Sequence, residues 1–257
     1  MLFSRRLALF LGLFLIFPWP AWAQEAFGIP FFTAHYVLNK FGVDAAETTL
    51  SFQPDGKNKV IYTQTTHAIG IFSWFFHQKI IERSILPRTS KIPLPIEFTY
   101  SETGGGKNVH ARIVFDRKAL IATGVDRQGQ PIHVKIQPDT VDFLSIQLAL
   151  IQAVAEHKKS LSFTVVQSAN KLSHYDFTYA GEKRIHTPLG ELNTIVVQRF
   201  RDHKDRYDFY LAPRLHYLPV RLVQTKLKDD SKLTLNLRSV QWNNSAEPAN
   251  HRGITTQ

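Results

Sequence analysis

Few polar side chains in this 257-residue sequence are placed where they could perform acid–base chemistry. Glu82 and Arg83 are neighbours in a strand-like stretch, Gln78 to Leu86, so they must point to opposite faces. One of the two is therefore expected to face inward, where a charge is either paired or functional, because burying an unpaired charge is costly. His174 and Asp176 share one face of another predicted strand and form a second candidate pair of acid and base.

The sequence lacks the motifs of most enzyme classes. It contains no cysteine, no His-Glu-x-x-His zinc motif and no Gly-x-Ser-x-Gly nucleophile motif. The three glycines at 104–106 stand between two predicted strands, without the helix that follows a phosphate-binding loop, and indicate a hairpin turn. We therefore expect no catalytic residue, no metal and no cofactor. The alternative is a hydrolase or modifying enzyme that uses Glu82 or the His174 and Asp176 pair.

The segment from Gly70 to Phe76 has the most unusual composition in the chain. Five of its residues are large and apolar, namely Ile71, Phe72, Trp74, Phe75 and Phe76. Such a density favours a loop or short helix that covers a cavity mouth or enters a membrane interface. These five residues are our candidates for contact with an apolar ligand or a membrane. The alternative is that they fill the open end of a barrel as ordinary core.

Residues 1–23 have the three parts of a secretory signal peptide. Two arginines precede an apolar run from Leu7 to Phe17, and Ala21-Trp22-Ala23 provides the small residues of a cleavage site before Gln24. The apolar run is shorter than the roughly 20 residues that span a bilayer, so we expect cleavage rather than an anchor. Because no cysteine is available for lipid attachment, we expect a soluble, unlipidated protein in the periplasm.

The chain is strongly basic, with a formal net charge of +10. In an exported protein this surplus suits an anionic envelope surface, such as phospholipid head groups, and export argues against nucleic acid as a partner. Lysine and arginine are scattered rather than clustered, so the charge also fits a plain role in solubility. After signal cleavage, no further stretch is apolar enough to span a membrane.

Alternation of apolar and polar residues is the dominant pattern after residue 33 and predicts strands with one buried face. It is clear in Thr48-Leu50-Phe52, Val109-Ala111-Ile113-Phe115, Leu161-Phe163-Val165, Tyr175-Phe177-Tyr179 and Leu233-Leu235-Leu237. Turn signals between such runs leave room only for short connections. Strands joined in this way pair antiparallel, because a parallel crossover needs a dozen or more residues.

One segment, Asp139 to Lys159, breaks the alternation and predicts a helix. It contains neither glycine nor proline, and either Asp139 or Thr140 could cap its amino end. Its apolar residues cover most of the circumference, so we expect the helix to be enclosed against the concave face of the sheet. The predicted fold is mainly β: a curved antiparallel sheet or partly open β-barrel with one enclosed α-helix, forming a single domain over residues 24–242. Residues 243–257 are polar and aperiodic, and we expect them to be disordered.

A series of motifs in the second half resembles a known family. The series comprises Tyr179-Ala180-Gly181-Glu182, Thr187-Pro188-Leu189-Gly190 with Leu192, Tyr210-Leu211-Ala212-Pro213, Tyr217-Leu218-Pro219-Val220-Arg221 and the strand from Lys232 to Val240. Ala34-His35-Tyr36 and Pro93-Leu94-Pro95 in the first half are consistent with it. Together these motifs resemble domain-of-unknown-function family 3108 of bacterial envelope proteins, over roughly residues 30 to 242. Tyr210 departs from the family pattern, in which a tryptophan is frequent at that position.

The resemblance implies a scaffold and brings no catalytic residues with it. By similarity of fold, it implies a curved antiparallel sheet with an enclosed helix, like the carriers that transport lipoproteins across the periplasm, although fold does not assign function. Our leading hypothesis is a non-enzymatic binding or envelope-maintenance protein that holds an apolar or amphipathic ligand between the sheet and the predicted helix. The alternatives are the hydrolase described above and a structural adaptor whose exposed strand edge pairs with a partner protein.

Overall fold

The computed structural model of the protein describes residues 25–106, 108–168 and 171–243. The predicted signal peptide over residues 1–23 lies outside these ranges, and so does the predicted disordered tail apart from Asn243. Within the described ranges the chain forms one α-helix, α1 (Ser145–Ala155), and 16 strands. The strands are β1 (Glu25–Ala26), β2 (Ile29–Pro30), β3 (Phe32–Lys40), β4 (Val43–Asp55), β5 (Lys59–Ala68), β6 (Lys79–Pro87), β7 (Glu97–Thr103), β8 (Val109–Asp116), β9 (Ile121–Val125), β10 (Pro131–Lys135), β11 (Leu161–Ser168), β12 (Lys171–Thr187), β13 (Gly190–Arg201), β14 (Asp205–Ala212), β15 (Leu218–Lys226) and β16 (Lys232–Trp242).

Fourteen of the strands form one sheet, in the order β10-β9-β8-β7-β6-β5-β4-β3-β16-β15-β14-β13-β12-β11. Neighbouring strands in this sheet pair antiparallel, for example β5 with β6 and β13 with β14. The prediction of a mainly β, antiparallel single domain is therefore confirmed. The first and last long strands, β3 and β16, pair in the middle of the sheet. As a result its two edges, β10 and β11, are consecutive in the chain and are joined through α1.

The sheet curls around the helix without closing into a barrel. Tyr62 of β5 donates a hydrogen bond to Gln147 of α1 at 2.9 Å, while Phe143, just before α1, packs its ring against Tyr175 of β12 at 6.4 Å. Six strands separate β5 from β12, which would place them about 34 Å apart in a flat sheet. A helix of 11 residues is only about 16 Å long. The segment around α1 can therefore reach both strands only because the sheet curves.

The helix is enclosed, as predicted, but it is shorter than the predicted range of 139–159. Nine of its 11 residues are buried. Asp142, rather than Asp139 or Thr140, caps its amino end, because Asp142 Oδ1 accepts the N–H groups of Leu144 and Ser145 at 2.8 and 2.6 Å. Ser145 Oγ in turn accepts the N–H of Asp142 at 3.1 Å, which completes a reciprocal capping box.

The carboxyl end of α1 stops before the predicted limit at Lys159. His157 has a φ of 53°, and the N–H of Lys158 bonds to the carbonyl of Ala153 at 2.9 Å. This left-handed residue and backward hydrogen bond form a Schellman cap, which ends the helix and turns the chain toward β11. In the part of the chain that the structure describes, no helix is long and apolar enough to cross a membrane.

The gap between the edge strands is bridged by the chain between β10 and α1. The N–H of Ile136 bonds to Leu120 at 2.9 Å, and the N–H of Val141 bonds to Thr164 of β11 at 2.8 Å. Arg117 donates hydrogen bonds to the carbonyl of Pro95 at 2.6 and 3.0 Å and to that of Thr140 at 2.9 Å. We call this bridging segment, residues 136–142, the seam.

Candidate functional site

A pocket of about 370 Å³ lies between α1 and the inner face of the curled sheet. Its walls are mainly aromatic and aliphatic, and four longer polar side chains reach into it. The apolar lining comprises Tyr36, Leu50, Phe143, Ile146, Leu150, Tyr175, Phe177, Tyr207, Phe209, Pro219, Leu222 and Leu235, and the polar lining comprises Gln64, Gln147, Arg199 and Arg201. The volume lies within the range of small-molecule sites, and an apolar lining with few polar groups is typical of them.

Strand alternation places the aromatic residues of this inner pocket on one face. Tyr175 and Phe177 are two residues apart on β12, and Tyr207 and Phe209 are two apart on β14, so each pair points inward together. The rings of Phe177 and Phe209 meet edge to face at 5.5 Å. Because the sheet curves, residues from β3 and β4 face those of β12 and β14 across the same space.

The polar groups on the β5 side of the inner pocket satisfy one another. Tyr62 bonds to Gln147 as described, the side-chain NH₂ of Gln147 donates to Gln64 at 3.3 Å, and that of Gln64 donates to Glu82 at 3.2 Å. Glu82 also accepts a hydrogen bond from Arg127 at 2.7 Å. Burial raises the pKa of Glu82, and the Arg127 guanidinium partly offsets this. The polar side chains at this end of the pocket therefore form one connected hydrogen-bond network.

Glu82 and Arg83 point to opposite faces of β6. Glu82 faces the interior and is paired with Arg127, whereas Arg83 is exposed. Arg127 comes from the turn between β9 and β10, and its guanidinium stacks on Tyr100 at 3.8 Å. The inward charge is thus neutralised by a residue that sequence alternation alone does not pair with it.

Two arginines on β13 face the inner pocket, and they differ in how they are partnered. Arg201 forms an ion pair with Asp205. Arg199 stacks its guanidinium over the ring of Tyr175 at 3.7 Å and lies 5.8 Å from that of Tyr207. Among the described residues, Arg199 has no hydrogen-bond acceptor or carboxylate partner. Neither arginine was among the sequence candidates. Val196 and Val197 are adjacent apolar residues that are both buried, so alternation along β13 does not show from the sequence which face Arg199 and Arg201 occupy.

The other candidate acid and base, His174 and Asp176, lie on the outer face of β12, opposite Tyr175. His174 Nδ1 is 3.3 Å from the hydroxyl of Thr164, and Asp176 accepts a hydrogen bond from Ser162 at 2.5 Å. The sheet therefore separates this pair from Glu82 on the inner face. No cluster of three or more histidine, aspartate or glutamate side chains suited to a metal ion occurs in residues 25–106, 108–168 and 171–243.

The predicted aromatic segment forms a 3₁₀ helix, Gly70–Trp74, between β5 and β6. The side chains of Trp74 and Phe75 are 77% and 73% exposed. Ile71 and Phe76 are also exposed, whereas Phe72 is half-buried. The alternative that the segment fills the end of a barrel as core is therefore wrong. None of the five candidate residues lines the inner pocket.

The aromatic segment belongs to one end of the sheet that carries further exposed apolar residues. We call this end the rim, and it includes the turns that join β3 to β4, β5 to β6, β13 to β14 and β15 to β16. Phe41, Phe200 and Leu227 are exposed there. Arg199 lies two residues from the rim end of β13, so the arginine side of the inner pocket is the side nearest the rim.

A second cleft, of about 500 Å³, lies on the outer face of the sheet and is lined mainly by polar residues. Two of its arginines are already engaged. Arg206 pairs with Asp208 at 3.0 Å, and Arg221 donates to Asn236 at 2.9 Å and to the carbonyl of His186 at 3.0 Å. The lysines that also line it, Lys183 and Lys232, are exposed, so this cleft is an open polar surface, whereas the inner pocket is lined mainly by apolar side chains.

Solved structures align with this chain at low sequence identity, and the first described here shares its fold. A β-barrel-like protein of domain-of-unknown-function family DUF1849 from Brucella abortus aligns at a TM-score of 0.53 and 10% identity, covering 84% of this chain and 99% of that one. A candidate exported protein with a YmcC-like fold from Bacteroides fragilis has 10% identity over 84% of this chain and 100% of its own, at a TM-score of 0.33. A candidate lipoprotein from Parabacteroides distasonis has 9% identity over 85% of this chain and 100% of its own, also at 0.33.

The family comparison agrees with the motifs of the second half. No curated protein matches this sequence. The family described as "Protein of unknown function (DUF3108)" matches residues 32–237, which includes the long strands from β3 to β15, α1 and most of β16. This chain is a member of the DUF3108 family.

Proposed function

We propose that this protein is a non-enzymatic binding protein of the cell envelope that holds an apolar or amphipathic ligand in the inner pocket. The observation that carries the proposal is the pocket itself: about 370 Å³ of space lined mainly by apolar side chains. Burying an apolar chain there removes it from water, which is favourable by about 25 cal/mol per Å² of apolar surface.

The surroundings of the inner pocket support binding rather than catalysis. Its glutamines bond to each other, and Glu82 behind them is engaged by Arg127. The His174 and Asp176 pair lies on the opposite face of the sheet. The hydrolase alternative uses either Glu82 or the His174 and Asp176 pair as acid and base. Glu82 is bonded to Arg127 and Gln64, and the side chains of His174 and Asp176 bond to Thr164 and Ser162 rather than to each other.

The binding proposal is tested by filling the pocket. Leu222 is a half-buried lining residue of β15, and Leu222→Trp should occupy the space that a ligand needs. We expect this variant to bind the apolar fluorescent dye N-phenyl-1-naphthylamine at least about tenfold more weakly than the parent protein. Native mass spectrometry of the parent protein purified from cells should also show a co-purifying small molecule.

Val223→Trp is the matched control, because the neighbouring residue points to the outer face of the same strand. It should leave dye affinity unchanged. Absence of both dye binding and a co-purifying molecule in the parent protein would contradict the proposal.

The envelope location in this proposal is supported by the signal-like pattern of residues 1–23 and by the basic charge. Fractionation of cells that express the full chain should recover the protein in the periplasm. Deletion of residues 2–23 should retain it in the cytoplasm, since the apolar run that enters the export machinery is then missing.

The exposed aromatic residues of the rim favour a second element of the proposal, contact with an anionic membrane. Trp74, Phe75 and Phe41 expose most of their side-chain surface, and Lys40 lies 5.4 Å from the Phe41 ring. Aromatic rings beside cations are suited to the interface between lipid head groups and acyl chains. Contact through the rim would bring the membrane to the arginine side of the inner pocket.

A further inference from the structure

The amide and charged side chains that line the inner pocket have protein partners, with one cationic exception. Gln64 and Gln147 bond to each other, and Arg201 is paired with Asp205. The Tyr36 hydroxyl donates to the carbonyl of Pro219 at 2.9 Å. Within the described part of the chain, Arg199 is the cationic side chain of the pocket that lacks an anionic partner.

The stacking of Arg199 orients it without using its hydrogen-bonding groups. Tyr175 contacts the face of the guanidinium at 3.7 Å, and a guanidinium donates its five N–H groups in its own plane. The stack therefore fixes the orientation of the guanidinium and leaves its N–H groups available to donate hydrogen bonds to a ligand. A planar fork of this kind matches the two oxygens of a carboxylate or phosphate.

The position of Arg199 sets the polarity of a ligand. It lies on the rim side of the inner pocket, whereas Ile146 and Leu150 of α1 line the pocket beneath the helix. A chain with its apolar part against α1 would place its end group near Arg199. In such partly apolar surroundings a cation should strongly favour an anionic end group over a neutral one, because electrostatic interactions are less screened than in water.

We infer that Arg199 receives an anionic head group, so that the ligand is an acidic amphiphile with one carboxylate or phosphate on an apolar chain. This inference rests on the proposed binding function and specifies the ligand class of the same pocket. Tyr175 and Tyr207, whose rings flank the guanidinium, are positioning residues for this contact.

The inference is tested by comparing ligands that differ only in the head group. Dodecanoate, dodecyl phosphate and dodecanol would each be titrated against the dye bound to the purified, delipidated protein at pH 8. We expect at least one of the two acids to displace the dye about tenfold or more better than dodecanol, since a hydrogen-bonded charge contributes that much. The acid that binds more tightly identifies carboxylate or phosphate as the natural head group.

Arg199→Gln should reduce acid affinity about tenfold and leave dodecanol affinity unchanged, and Arg199→Lys should recover part of the loss. The matched control is Arg83→Gln, which removes the same charge from an exposed position on the outer face of β6 and should leave the preference for acids intact.

Equal binding of acids and alcohol by the parent protein would overturn the inference while leaving the binding function in place. Failure of the dye and all three ligands to bind would overturn both. The parent comparison needs no variant, so it decides the matter even if Arg199→Gln fails to fold.

Discussion

Asp142 is a buried carboxyl group that couples the helix cap to the sheet. Its Oδ1 atom accepts three hydrogen bonds, from the N–H groups of Leu144 and Ser145 and from the hydroxyl of Ser84 on β6 at 2.9 Å. Oδ2 is buried and has no hydrogen-bond partner among the described residues. Burial dominates over these bonds and raises the pKa of Asp142 to about 6. Capping the helix with Asp142 therefore requires an unfavourable removal of its carboxylate from water.

This raised pKa predicts the direction of a pH dependence. The unfolded chain releases the Asp142 proton near pH 4, whereas the folded chain keeps it up to about pH 6. The contribution of this group to the free energy of unfolding is therefore highest below pH 4, falls as pH rises to about 6, and is constant above that. The total fall is roughly 3 kcal/mol, at 1.36 kcal/mol for each pKa unit.

Asp142→Asn should remove this pH-dependent contribution. Measured by urea unfolding, the free energy of unfolding of the variant should therefore rise relative to that of the parent protein between pH 4 and pH 6. Ser84→Ala removes a donor that stabilises the charged form, and it should extend the falling part of the profile to higher pH. Parallel pH profiles for the parent and Asp142→Asn would contradict the assignment.

At the scale of the elements, the connection between β5 and β6 presents apolar surface rather than covering the core. Its 3₁₀ helix is held to β4 by the N–H of Ile69, which donates to Ala45 at 3.1 Å. The N–H of Phe76 returns to Phe72 at 2.8 Å. These hydrogen bonds hold the backbone of the segment, while the rings of Trp74 and Phe75 remain exposed. Exposed aromatic clusters of this kind mark contact sites.

The double variant Trp74→Ser with Phe75→Ser should lose affinity for vesicles that contain phosphatidylglycerol, by about tenfold or more, because two large apolar side chains no longer enter the interface. Co-sedimentation with vesicles measures this directly. Leu189→Ser is the control, since Leu189 is exposed in the turn between β12 and β13, at the opposite end of the sheet. Equal vesicle affinity of the parent and the double variant would exclude the segment as the membrane contact.

At the scale of the whole molecule, the seam links the two edge regions of the open sheet through its backbone hydrogen bonds. Arg117 joins Pro95, before β7, to Thr140 in the seam, and its guanidinium lies 4.8 Å from the ring of Phe115. Burial lowers the pKa of Arg117 to about 10, although it stays cationic near neutral pH. The side chain thus replaces part of the hydrogen bonding that a closed barrel would provide.

Arg117→Ala should lower the free energy of unfolding by about 3 kcal/mol, because it leaves two carbonyl groups without their charged donor. Urea unfolding measures the loss. Hydrogen exchange should show it first at the amide of Val141, which bonds to β11. Arg83→Ala, at an exposed site, should change stability by less than about 0.5 kcal/mol. A similarly small effect for Arg117→Ala would mean that the seam does not depend on this residue.

The local features of this protein were determined by its sequence. Alternation predicted the strands and their inward faces, as in Tyr175 and Phe177, because the direction of a side chain on a strand depends only on parity. The enclosed helix followed from its apolar circumference. The ends of the helix could not be predicted in this way, because Asp139, Thr140 and Asp142 are all residue types that can cap a helix. Asp142 is the residue that does so, and its carboxylate also bonds to Ser84 on β6, which is distant in sequence.

The inner pocket was decided by the tertiary structure. The pairing of β3 with β16, the curl that brings β5 and β12 to one helix, and the stacking of Arg199 on Tyr175 each join residues that are distant in sequence or in strand order. Periodicity shows which face a residue occupies, but it carries no information about which strand lies opposite. The sequence therefore identified a container-like sheet with a helix inside, and the curvature of that sheet determined where the space lies and which charge faces it.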